Sequence, residues 1–129
     1  MLDLTILKRV VFVGLVCQGA LLACGWEWPG FRPGLLFGVM MIAGVAGLLY
    51  ARDLARGFLA GMLGGAIAGA AGGVAAVAGA NWLGEQPELF LPYGAMVTML
   101  TGAVGGIFGE LDARLRAYIV RKLTERPEP

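Results

Sequence analysis

Along most of this chain, apolar residues neither alternate nor recur every third or fourth position. They run on. Four stretches, at about 10–28, 34–50, 57–83 and 89–108, hold no charge in their interiors, Glu27 marking the far edge of the first. Each approaches the roughly 17–25 residues with which a helix crosses a bilayer. Helix is the conformation they predict, because a single segment in hydrocarbon must satisfy its own backbone polar groups. The links are short: Pro-Gly-Phe-Arg-Pro at 29–33, a charged segment at 51–56, and an acidic one at 84–88. The pattern changes after Phe108. Leu111, Leu115, Tyr118, Ile119 and Leu123 follow helical spacing among charged residues, which predicts an amphipathic helix over about 110–125 that extends the fourth span or lies on the inner leaflet. The expected fold is an all-α integral membrane protein. It is a single domain over 1–129, a four-transmembrane-helix bundle of two helical hairpins with glycine-zipper packing and an amphipathic cytoplasmic tail.

Composition supports this reading. Of 129 residues, 58% are hydrophobic with the 22 Gly counted separately, and 15% are charged. A soluble domain has about 25% charged residues and cannot hide so much apolar surface. A net charge of +1 argues against a nucleic-acid partner. The distribution of charge is more telling than its sum. Lys8, Arg9, Arg52, Arg56, Arg114, Arg116, Arg121, Lys122 and Arg126 fall on one side of a four-span topology, and Arg32 alone on the other. The positive-inside rule then places both termini in the cytoplasm, the setting being a bacterial inner membrane. Trp26, Trp28, Phe31, Trp82, Phe90 and Tyr93 gather at the outer boundary, where amphipathic rings settle.

The start of the chain admits a second reading. Lys8-Arg9, an apolar run and Leu21-Leu22-Ala23-Cys24 resemble a bacterial lipoprotein signal ending in a lipidated cysteine. The Trp-rich boundary after Cys24 suits a retained span better. Cys17 and Cys24 are seven residues apart, about 10 Å on a helix, too far to bridge one another. A faint duplication pairs Phe31-Arg32-Pro33-Gly34 with Phe90-Leu91-Pro92-Tyr93-Gly94.

The third span carries the clearest signal. Gly57, Gly61, Gly65, Gly69 and Gly73 recur every four residues, beside a second row of Gly64, Ala68, Gly72, Ala76 and Ala80. Such rows make a groove in which another helix backbone approaches closely, the main source of helix association in lipid. The fourth span continues the theme with Gly102 and Gly106 in line with Gly94 and Thr98. Two readings stay open: the rows pack within the chain, or one of them packs against a copy or partner subunit.

Groups that would carry chemistry are scarce. There is no His and no mid-span carboxylate or base, so no general acid–base pair or proton relay is set out. Intramembrane polar side chains reduce to Gln18, Thr98, Thr101 and the two cysteines. A soft-metal path through Met40, Met41, Met62, Met96 and Met99 is conceivable, but Met equally fills gaps in cores. No cofactor, metal site or enzyme activity is expected. The expected function is that of a small non-enzymatic accessory or scaffold subunit acting through helix assembly. Its partners would be membrane lipids and either further copies or a larger membrane complex. The alternative is a homo-oligomeric channel or small-solute transporter with a path lined by Gly and Thr.

Two measurements check the topology. On a cysteine-free background in intact cells, a cysteine placed in 84–88 should react with an impermeant thiol reagent and one in 51–56 should not; the reverse pattern would invert the topology. The intact mass should include residues 1–23 without acyl chains, whereas a mass beginning at an acylated Cys24 would establish the lipoprotein.

Overall fold

The computed structural model describes residues 2–82 and 90–125; the 84–88 link and Arg126 lie outside them. Four helices account for nearly all of it: α1 (Leu4–Glu27), α2 (Leu35–Leu54), α3 (Phe58–Trp82) and α4 (Phe90–Thr124). All four are long and apolar enough to cross a membrane, as in a multi-pass membrane protein.

Local chemistry sets the helix ends. The Asp3 carboxylate accepts the backbone N–H groups of Thr5 and Ile6 at 2.9 and 3.2 Å, which starts α1 several residues before the apolar run does. Past Glu27 the chain turns extended at Trp28 and then makes a six-residue 3₁₀ helix over Pro29–Gly34. Here the Arg32 Nε donates to the Gly25 carbonyl at 3.3 Å. α2 continues past Tyr50 because Ala51 and Leu54 are themselves buried. It stops where Ala55 turns left-handed (φ 46°) and sends its N–H back to the Ala51 carbonyl. Gly57 follows at φ +110°, a conformation that favours glycine, so a link of three residues reverses the chain.

The tail neither breaks away nor folds over. α4 is one unbroken helix of 35 residues, about 52 Å long at 1.5 Å per residue. The tail therefore extends the fourth span.

Pair contacts give the directions. α1 meets α2 antiparallel, with Gly14 beside Ala46 and Gly25 beside Leu35. α3 runs antiparallel to both α2 and α4, and α2 and α4 run parallel. The closest backbone approaches join α2, α3 and α4 into a core, while α1, the least buried span, lies against α2 and α3. The two-hairpin description groups α1 with α2 and α3 with α4, and it leaves the α2–α4 contact unmentioned.

Tyr50 is the largest fully enclosed side chain. Its ring lies against the backbone of Gly64, and its hydroxyl accepts the Asp3 N–H at 3.2 Å, which ties the start of α1 to the end of α2. Val10, Ala46, Leu54 and Ala68 complete the cluster around it. Emptying that site should cost about 3 kcal/mol or more. Tyr50→Ala should therefore unfold at clearly lower denaturant or temperature in detergent. Leu59→Ala, at a position 70% exposed, should match the parent.

Candidate functional site: the glycine-lined junction of α2, α3 and α4

The site is built from absent side chains. On α3, Gly61, Gly65, Gly69 and Gly73 all face α4. A Cβ placed on Gly65 would collide with the Gly102 carbonyl and sit 3.1 Å from the Gly47 Cα. One on Gly69 would collide with the Thr98 carbonyl and lie 3.2 Å from the Gly102 Cα. The relation is mutual: a Cβ on Gly102 would strike the Gly65 carbonyl, and Gly61 and Gly106 oppose one another in the same way. In each case the glycine hydrogen that stands in the place of a Cβ points at a carbonyl oxygen across the interface. This is the geometry of Cα–H···O=C contacts, worth about 0.5–1 kcal/mol each.

α2 joins from the other side. Gly47 faces the Gly102 carbonyl, Gly105 of α4 faces the Gly44 carbonyl, and Gly109 faces the Leu48 carbonyl. Gly47, Gly65 and Gly102 thus bring three helix backbones to one point. Gly57 differs from the rest of its row. It lies in the α2–α3 link, nothing stands within 4 Å of its Cβ position, and its role there is the turn rather than packing.

Most of the second row of α3 is also enclosed. Gly64 meets Tyr50 and Gly72 meets the Gln18 amide nitrogen, Ala68 and Ala76 are buried, and Ala80 is half-buried. From Gly61 to Gly73 the first row, and from Gly64 to Ala76 the second, face helices of the same chain. Among the described glycines within α1–α4, Gly19 alone has nothing within 4 Å of its Cβ position.

The polar side chains singled out in the sequence do not converge. Thr98 is fully buried, and its hydroxyl donates back to the Gly94 and Ala95 carbonyls at 2.8 and 3.0 Å within α4, facing Gly73. The Thr101 hydroxyl donates likewise to the Val97 carbonyl. Gln18 is 2% exposed, and its Oε1 has no hydrogen-bond partner among the described residues. Met41, Met96 and Met99 are exposed, and among the described residues no three His, Cys, Asp or Glu gather as a metal site. Cys17 and Cys24 are free and exposed on α1.

One buried group escapes a reading that treats the tail as solvated. Glu110 is 4% exposed. It continues the α4 line of Gly94, Thr98, Gly102 and Gly106 by one more turn, and that four-residue spacing was the signal for it in the sequence. Its Oε1 accepts from the Arg114 Nε at 3.1 Å, and the Arg114 guanidinium lies 4.3 Å over the Phe58 ring at the start of α3. Its Oε2 is buried without a partner among the described residues. Beside it, Asp112 pairs with Arg116 at 2.9 Å and with Arg52 of α2 at 3.8 Å.

The fold and its interior define a helical membrane protein whose buried contacts are largely backbone on backbone. Comparison with protein-family models, with curated proteins and with solved structures gives no match.

Added bulk at the junction meets backbone, which cannot swing aside. Gly65→Leu and Gly69→Leu should each destabilise by about 3 kcal/mol or more, beyond ordinary overpacking of about 1–3 kcal/mol. They should shift thermal unfolding and elution in detergent. Gly19→Leu and Leu63→Ile should behave like the parent. Parent-like behaviour of both Leu variants at Gly65 and Gly69 would mean that the row faces lipid.

Proposed function

We propose that this chain is a small, non-enzymatic subunit of a membrane assembly, a glycine-zipper bundle that acts as an accessory or scaffold. One observation carries the reading: Gly47, Gly65 and Gly102 bring three backbones into contact at the middle of the bundle. That junction favours a rigid body over a conduit, since it leaves no gap along the α3–α4 seam for a solute to follow. The intramembrane hydroxyls also hydrogen-bond to their own helix, which leaves them poorly placed to line a path. With the glycines of α3 turned inward, the surfaces available to partners are the outer, apolar faces of the helices, such as Phe37 and Met41 on α2, Leu59 and Leu63 on α3, and Val104 and Phe108 on α4.

Isolation of the tagged full chain from its native membranes in a mild detergent tests this reading. A larger complex of fixed stoichiometry is expected, and it should be lost with Gly65→Leu. A symmetric homo-oligomer that passes small solutes in liposomes would replace the proposal with a channel. A monomer without companions would overturn it.

A further inference from the structure

α2 ends at Leu54 and α3 begins at Phe58, but α4 runs on to Thr124. From residue 113 it projects about 18 Å past the ends of its neighbours. This projection has a defined pattern. Leu111, Leu115 and Tyr118 extend the outward line that Val104 and Phe108 begin inside the bundle, all of them exposed, at spacings of three and four residues. At 100° per residue these five fall within about 40° of a common direction. Arg114 and Arg121 flank the line on one side and Arg116 on the other, while Lys122 closes it. The side of α4 that faces acyl chains within the bundle is therefore the side that stays apolar beyond it, with cations along both edges.

Length and charge point to the same occupant. A 52 Å helix fits within the roughly 40–45 Å of a bilayer with its headgroup layers when tilted by about 30°, inside the usual range for membrane helices. Leu115 and Tyr118 then rest at the boundary of acyl chain and headgroup, and the flanking cations snorkel into the phosphate layer. At this end of the bundle Lys8, Arg9, Arg56 and Lys122 form no ion pair among the described residues. Eight cationic side chains face five anionic ones there: Asp3, Asp53, Glu110, Asp112 and Glu125. The excess positive charge complements an anionic lipid surface.

We infer that the projecting part of α4 is a docking surface for the anionic phospholipid headgroups of the chain's own bilayer, with Leu115 and Tyr118 seated in the interface and Arg121 and Lys122 on the phosphates. The test uses the full chain in nanodiscs of phosphatidylcholine alone or with 30% phosphatidylglycerol. A fluorophore is attached to Leu115→Cys in a Cys17→Ala/Cys24→Ala background and quenched by lipids carrying a shallow nitroxide. Quenching at position 115 should be strong, should rise with phosphatidylglycerol and should fall with added salt. At Val120→Cys, on the opposite side of the helix, it should be weak. Arg121→Gln/Lys122→Gln removes the exposed Arg121–Glu125 pair, leaves the Glu110–Arg114 and Asp112–Arg116 pairs intact, and should abolish the dependence on phosphatidylglycerol. Absence of quenching at 115, with or without close approach of two labelled copies, would show the segment standing in water or against protein and would overturn the inference. Equal quenching in both lipids would overturn it too, leaving lipid contact without selection for charge.

Discussion

Inside a bilayer, a helix gains little by hiding an apolar side chain from a solvent that is equally apolar. What remains is the closeness of contact, which is limited by Cβ atoms. The close approach of α2, α3 and α4 follows from removing them along one line. Where Gly47, Gly65 and Gly102 meet, carbonyl oxygens of one helix lie where side chains of another would otherwise begin. The three backbones come near enough for dispersion and Cα–H···O contacts to act along the length of the interface. The large side chains of α3, Leu59, Leu63 and Val74, are turned out to the lipid. A soluble core would arrange size in the opposite order.

Much of this architecture was legible in the sequence because its two strongest signals are one-dimensional. A charge-free run of membrane length marks a span, and a glycine every fourth residue marks a contact line. Helix ends were less legible, since they depend on details such as the Asp3 cap, or on burial of Leu54 by other helices. Whether the two rows of α3 faced inward or outward could not be read from spacing, which locates a groove and says nothing of its filler. Tyr50 stands at the end of the second charge-free run, next to a charged link; only the opposing Gly64 reveals it as a fully enclosed large side chain. Glu110 was hidden by its neighbours. Flanked by Asp112, Arg114 and Arg116 it reads as solvated, yet its place in the line of Gly94, Thr98, Gly102 and Gly106 puts it inside.

The charged end of the bundle completes what the glycines begin. Arg114 holds the Glu110 carboxylate and covers Phe58, and Asp112 bridges Arg52 and Arg116, so α2, α3 and α4 are joined by side chains where the apolar contact runs out. Two of these contacts cross between helices, Arg52 to Asp112 and Arg114 over Phe58, and a surface ion pair such as the first contributes little stability singly. Their value here is positional, because each meets its partner at only one height along the helix axis.

That height matters, since a perfectly regular row has a flaw. Sliding α1 or α2 by one turn along α3, about 6 Å, brings residues of the same row back to the same places. The spacing alone does not distinguish the shifted bundle from the true one. The sizes along the second row of α3 do. That row reads Ala60, Gly64, Ala68, Gly72, Ala76, small and smaller in alternation. The Tyr50 ring fills the gap at Gly64 and the Gln18 amide the gap at Gly72. One turn in either direction would set each against an alanine methyl. The second row thus works as a key with two notches, and it holds α2 and α1 against α3 at a single setting.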